Sequence, residues 1–147
     1  MRAFAGAIGV CALLALAGCA SGRSGAQGQE RFETTLSGAQ EVPAVATAAS
    51  GRAEVSFDQR GNLLQWRITY QGLSGPVTAA HFHGPAGPGQ NAPPVVPLHP
   101  GASPLTGQLR LTPEQFSQLE SGQWYVNLHT AAHPQGEIRG QLRHRPD

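Results

Sequence analysis

The chain has 147 residues and a formal net charge of +1, built from ten Arg, no Lys and nine acids. That balance offers no basic field to hold nucleic acid and argues against a polyanion partner. Only 13% of residues are charged, while 19 Gly and 12 Pro punctuate the chain, which points to a turn-rich all-β domain rather than a helical bundle.

The first element is a leader. Arg2 precedes an apolar run from Ala3 to Ala17, too short and too rich in small residues for a comfortable transmembrane helix but suited to an export signal. The junction "LAGC" (Leu16 to Cys19) resembles the lipobox of bacterial lipoproteins, which implies cleavage before Cys19 and a lipid anchor on that residue. The alternative is an ordinary signal peptide cut after Ala20. Cys11 and Cys19 are the only cysteines, so the mature chain has no intramolecular disulfide. Ala20 in place of Asp after the lipidated cysteine implies, by the same resemblance, an outer-membrane protein facing the periplasm. Residues 19–31 then read as lipidated Cys and flexible Gly/Ser/Gln tether, 32–143 as the folded domain and 144–147 as a tail.

From Phe32 onward, short apolar runs alternate with turn residues. "RFETTLSG" is strand-like, and "EVPAVATAAS" holds Pro43 and reads as edge or loop. "GRAEVSFD" and "LLQWRITYQGL" alternate with period two around the turn "RGN" and predict a hairpin. "PVTAAHFHG", "APPVVPL" and "LTGQLRLT" follow as extended pieces. Thr112-Pro113-Glu114-Gln115 predicts a helix start with a capping box, and Ser121-Gly122 its end. "QWYVNLHT" and "GEIRGQLRH" complete the set, giving seven or eight strands and one short helix, the pattern of a β-sandwich or barrel.

Three blocks in order, "LSGAQEVPAVATAASGRAEVSFD" (36–58), "AAHFHGPAGPGQNAPPVVPL" (79–98) and "GQWYVNLHTAAHPQGEIRGQL" (122–142), resemble the CHRD domain, named from chordin and also found alone in bacterial exported proteins. The resemblance implies an immunoglobulin-like β-sandwich. It brings no reaction and no set of catalytic residues, so function has to be sought in the site.

The histidines supply the candidate chemistry. Ala80 and Phe82 take the apolar face of "TAAHFHG", so His81 and His83 share the opposite one, ~6.8 Å apart at ~3.4 Å per residue. In "WYVNLHT", Trp124, Val126 and Leu128 take the core, which sends Tyr125, Asn127 and His129 outward. If those strands are neighbours, three imidazoles converge, and His133 in the "AAHPQG" loop is a candidate fourth ligand. Such a set suits copper or zinc. The competing reading makes them hydrogen-bonding histidines that anchor the loop starting at Gly84, and the two readings weigh about equally. His99 and His144 read as solvated. Glu137 and Arg139 flank inward-pointing Ile138. Glu137 is a hydrogen-bond partner fixing an imidazole tautomer or, preferred here, it and Arg139 form cross-strand ion pairs with Arg67, Arg52 or Glu41. Glu41 is equally ambiguous.

The expected function is therefore an exported, lipid-anchored CHRD-type protein binding copper or zinc through His81, His83, His129 and more weakly His133. No residue is assigned a catalytic role. The alternative is a non-metal interaction module presenting residues 84–97 to another envelope protein.

Overall fold

The computed structural model describes residues 28–146. The leader, Cys19 and most of the tether lie outside the described residues. Strands β1 (Gln29–Ser37), β2 (Ser50–Asp58), β3 (Leu63–Gln71), β4 (Val77–His83), β5 (Pro94–Leu98), β6 (Leu105–Arg110), β7 (Tyr125–Thr130), β8 (Ile138–Gln141) and the two-residue β9 (Arg143–His144) account for the extended segments read from the sequence. The Pro43 segment forms a loop. Among the described residues the single α-helix, α1 (Pro113–Glu120), begins where the capping box placed it: the Gln115 N–H donates to Thr112 Oγ1 at 3.2 Å and the Thr112 N–H to Gln115 Oε1 at 3.0 Å.

The strands run β5-β4-β7-β8-β1-β2-β3-β6 in one antiparallel sheet, with β9 against β1. The expected hairpin is β2–β3, paired along its whole length from Ser50–Gln71 to Asp58–Leu63. The sheet folds back on itself at a narrow seam, where β1 meets β8 through the single pair Ser37–Arg139. The expected all-β sandwich is thus made from two halves of one continuous, nearly closed sheet.

Alternation dictates the core. Ala53, Val55 and Phe57 of β2, Leu64, Trp66 and Ile68 of β3, Ala80 and Phe82 of β4, and Val126 and Leu128 of β7 all turn inward and are buried. The two halves meet where the Trp66 ring stands edge-on to Phe82, with centroids 5.6 Å apart and planes at 83°. Phe116 of α1 stacks on Phe57 at 4.1 Å, and Leu119 is fully buried beside it. Each such large apolar side chain contributes about 1.5–3 kcal/mol on burial. A core of this size holds the two strands that carry the histidines without help from any disulfide among the described residues.

Candidate metal centre

Strands β4 and β7 are hydrogen-bonded neighbours, so the condition for convergence is met. His81 pairs with Asn127, and His129 with Ala79. His81, His83 and His129 come together so that one ring nitrogen from each lies within 4.8 Å of the others. His81 Nδ1 stands 3.3 Å from His129 Nε2. The ring centroids are 5.4 Å apart for His81–His83, 5.2 Å for His81–His129 and 6.4 Å for His83–His129.

Backbone carbonyls orient two of the rings. His83 Nδ1 lies 2.9 Å from Ala92 O, and His129 Nδ1 lies 2.9 Å from Pro134 O. A carbonyl only accepts, so each Nδ1 carries the proton and each Nε2 keeps its lone pair. Fixing one nitrogen in this way aims the other at a common ion, the arrangement that commonly backs a metal-bound histidine. Burial is the main cause lowering the pKa of His81, with the neighbouring His129 and His83 charges adding to it. Burial also leads for His83; the Ala92 and Asn127 oxygens, which would both accept from a doubly protonated ring, oppose it, while His129 and Arg139 reinforce it. Both shifts favour neutral imidazole, the form that coordinates.

The face bearing these rings points away from the apolar core, as alternation predicts, but it is not open. His83 is 8% exposed, Asn127 3% and Arg139 1%. The Gly/Pro loop after β4 covers them, and Arg139 clamps it. The guanidinium donates to Asn91 Oδ1 at 3.1 Å and to Gln90 O at 2.8 Å. It also lies 3.5 Å from the centre of the Tyr125 ring, which in turn stacks on His83 at 4.8 Å with planes 3° apart. A polar layer under the loop therefore replaces the solvated outer face expected from alternation alone.

The remaining candidates separate from this cluster. His133 caps the turn after β7, its N–H donating to Thr130 O, and its ring is not part of the converging group. Glu137 makes neither the expected ion pair nor a contact with an imidazole. It is fully buried and accepts from Ser74 N and Oγ, Thr130 Oγ1 and Thr47 Oγ1. Burial alone would raise its pKa, but these hydrogen bonds prevail and hold it at about 2. Glu137 lies just before β8, and the hydroxyl donors that reach it come from separate parts of the chain. Arg139 is buried under the loop rather than ion-paired at the surface. Glu41 is 7% exposed, and burial raises its pKa to about 7 against the opposing pull of Arg139 and Asn127. His144, expected to be solvated, stands 2.6 Å from Glu30 Oε2, and its ring meets Phe32 edge-on.

Tyr125, Asn127 and the carbonyls of Ala92 and Pro134 carry much of the site yet were not singled out from the sequence as parts of it. The phase that placed His129 also placed Tyr125 and Asn127, so that signal was present; the carbonyl partners depend on loop conformation. Among the described residues, no helix is long and apolar enough to cross a membrane. A comparison with family models matches residues 32–142 to the CHRD domain. Searches of curated proteins and of solved structures return no match.

Proposed function

The chain belongs to the CHRD domain family, and from that premise we propose that it is an exported envelope protein, lipid-anchored at Cys19, that binds copper or zinc through His81, His83 and His129. One observation carries the reading: three imidazoles converge, and two of them have Nδ1 tied to a backbone carbonyl so that Nε2 faces the others. Imidazole donors suit copper and zinc better than calcium or magnesium, which take oxygen. The activity is binding or buffering of the ion. Neither nucleic acid nor a catalytic step enters the reading, and the outer membrane facing the periplasm is the proposed location.

The experiment is a titration of the purified protein with Cu²⁺ and Zn²⁺, following Trp124 fluorescence and bound metal. One ion per chain, lost in the His81→Ala/His83→Ala/His129→Ala variant, supports the reading. Equal binding by the variant overturns it.

A further inference from the structure

The residue facing His83 across the site is Asn127, whose Oδ1 stands 3.0 Å from His83 Nε2. The polarity of that contact is unusual. His83 Nδ1 already donates to Ala92 O, so a neutral ring presents only a lone pair at Nε2. The amide oxygen also presents lone pairs. Two buried acceptors then face each other, an arrangement that is costly without a cation to satisfy both.

Turning the amide over resolves this only with a proton on the carboxyl group that its other side faces. Asn127 Nδ2 and Glu41 Oε1 crowd the same point, 2.7 and 2.6 Å from where a Cβ on Gly136 would lie. Glu41 Oε1 is buried and has no hydrogen-bond partner. With the amide reversed, oxygen would oppose oxygen there instead unless Glu41, whose pKa burial raises to about 7, carried a proton. Placing a second proton on His83 would set an imidazolium among His81, His129 and Arg139, next to the cation–π-bound guanidinium. A metal ion satisfies the pair without a proton on either His83 or Glu41.

Bonds of about 2.0–2.1 Å place neighbouring tetrahedral ligands roughly 3.3 Å apart. Two separate contacts have about that length, His81 Nδ1–His129 Nε2 at 3.3 Å and His83 Nε2–Asn127 Oδ1 at 3.0 Å, and the three histidine donors lie within 4.8 Å of one another. We propose that Asn127 Oδ1 is the fourth ligand of a three-nitrogen, one-oxygen metal site, with the amide nitrogen on the side of the Glu41 carboxyl group so that the oxygen faces the ion. Gly136 leaves the space in which Glu41 and Asn127 meet. This rests on the reading of the three histidines as ligands and adds a residue that the sequence did not single out.

The test uses Zn²⁺ as the probe. In the purified wild-type protein, one equivalent of Zn²⁺ shifts the NMR resonance of the Asn127 side-chain carbonyl carbon. Asn127→Asp, which keeps the shape and adds charge to the oxygen, binds Zn²⁺ about tenfold tighter. Asn127→Ala binds it about tenfold more weakly. A carbonyl resonance unmoved at saturating Zn²⁺, or Asn127→Asp binding no tighter than wild type, overturns the fourth-ligand assignment while leaving the histidine site intact. A wild-type protein that binds no Zn²⁺ overturns both. The wild-type measurement stands whether or not either variant folds.

Discussion

His81 and His129 are 48 residues apart in the chain, yet His81 Nδ1 lies 3.3 Å from His129 Nε2. The contact is diagonal across two paired strands, since His81 is opposite Asn127 and His129 opposite Ala79. Same-face diagonal neighbours are within reach of long or aromatic rings, so pairing β4 with β7 suffices to bring the two imidazoles together.

Metal affinity should depend on pH with a definite sign. Protons compete with the ion for the ring nitrogens, and the pKa values of His81 and His83 lie below the ordinary 6.5. Competition at these two rings therefore sets in only below pH 6.5 and grows as pH falls. Isothermal titration with Zn²⁺ from neutral to acidic pH should show affinity that weakens below that point. Affinity that strengthens on acidification contradicts the assignment of imidazole ligands.

Glu137 should be a stability residue with no effect on metal binding. Its folded-state pKa of about 2 lies below the ordinary 4.5, so its contribution is complete above 4.5 and is lost as pH falls from 4.5 towards 2. Glu137→Gln exchanges charge-assisted hydrogen bonds for weaker ones and should cost about 2 kcal/mol at neutral pH. Urea denaturation should show that deficit, narrowing as the wild type itself is acidified. A variant as stable as wild type at neutral pH would show that the Ser74, Thr47 and Thr130 contacts contribute nothing net.

Arg139 should hold the loop over the site. Arg139→Lys loses the planar fork that reaches Asn91 and Gln90 and the stacking on Tyr125. We expect a loss of about 2–3 kcal/mol and faster hydrogen exchange in the segment 87–91. Exchange unchanged there would mean that the loop is held by other contacts.

Gly136 should tolerate no side chain. Its φ is +124°, and an added Cβ would lie 2.6 Å from Glu41 Oε1 and 2.7 Å from Asn127 Nδ2. Gly136→Ala should cost about 1–3 kcal/mol in backbone strain and should weaken Zn²⁺ binding by displacing Asn127. Thermal melting and titration of the same preparation check both effects. Full stability with full affinity would contradict the close approach.

Much of this fold is legible in the sequence because alternation is a local signal. "EVSFD" and "LLQWRITY" announce a hairpin, and Phe82 between two histidines fixes the phase of β4. Thr112 to Gln115 encode the helix start in four residues. The site is legible only in part. Phase places His81, His83 and His129 on one type of face, but whether β4 and β7 are neighbours is a matter of topology that no short window contains. Glu137 shows the limit most clearly. Its partners Thr47, Ser74 and Thr130 lie in separate segments, so charge alone led to an ion-pair expectation where the folded chain supplies hydroxyls. The covering of the outer face by the Gly/Pro loop has the same origin, since Arg139 acquires its carbonyl partners only through tertiary contact.

The central claim concerns which nitrogens meet the ion, and NMR of the histidine rings tests it most directly. In ¹⁵N-labelled wild-type protein, one equivalent of Zn²⁺ should shift Nε2 of His83 and His129 and Nδ1 of His81 together, while Nδ1 of His83 and His129 stays protonated on the Ala92 and Pro134 carbonyls. His99 and His144 should not move. Ring nitrogens of His81, His83 and His129 that ignore Zn²⁺, or uniform shifts across all six histidines, would contradict the account.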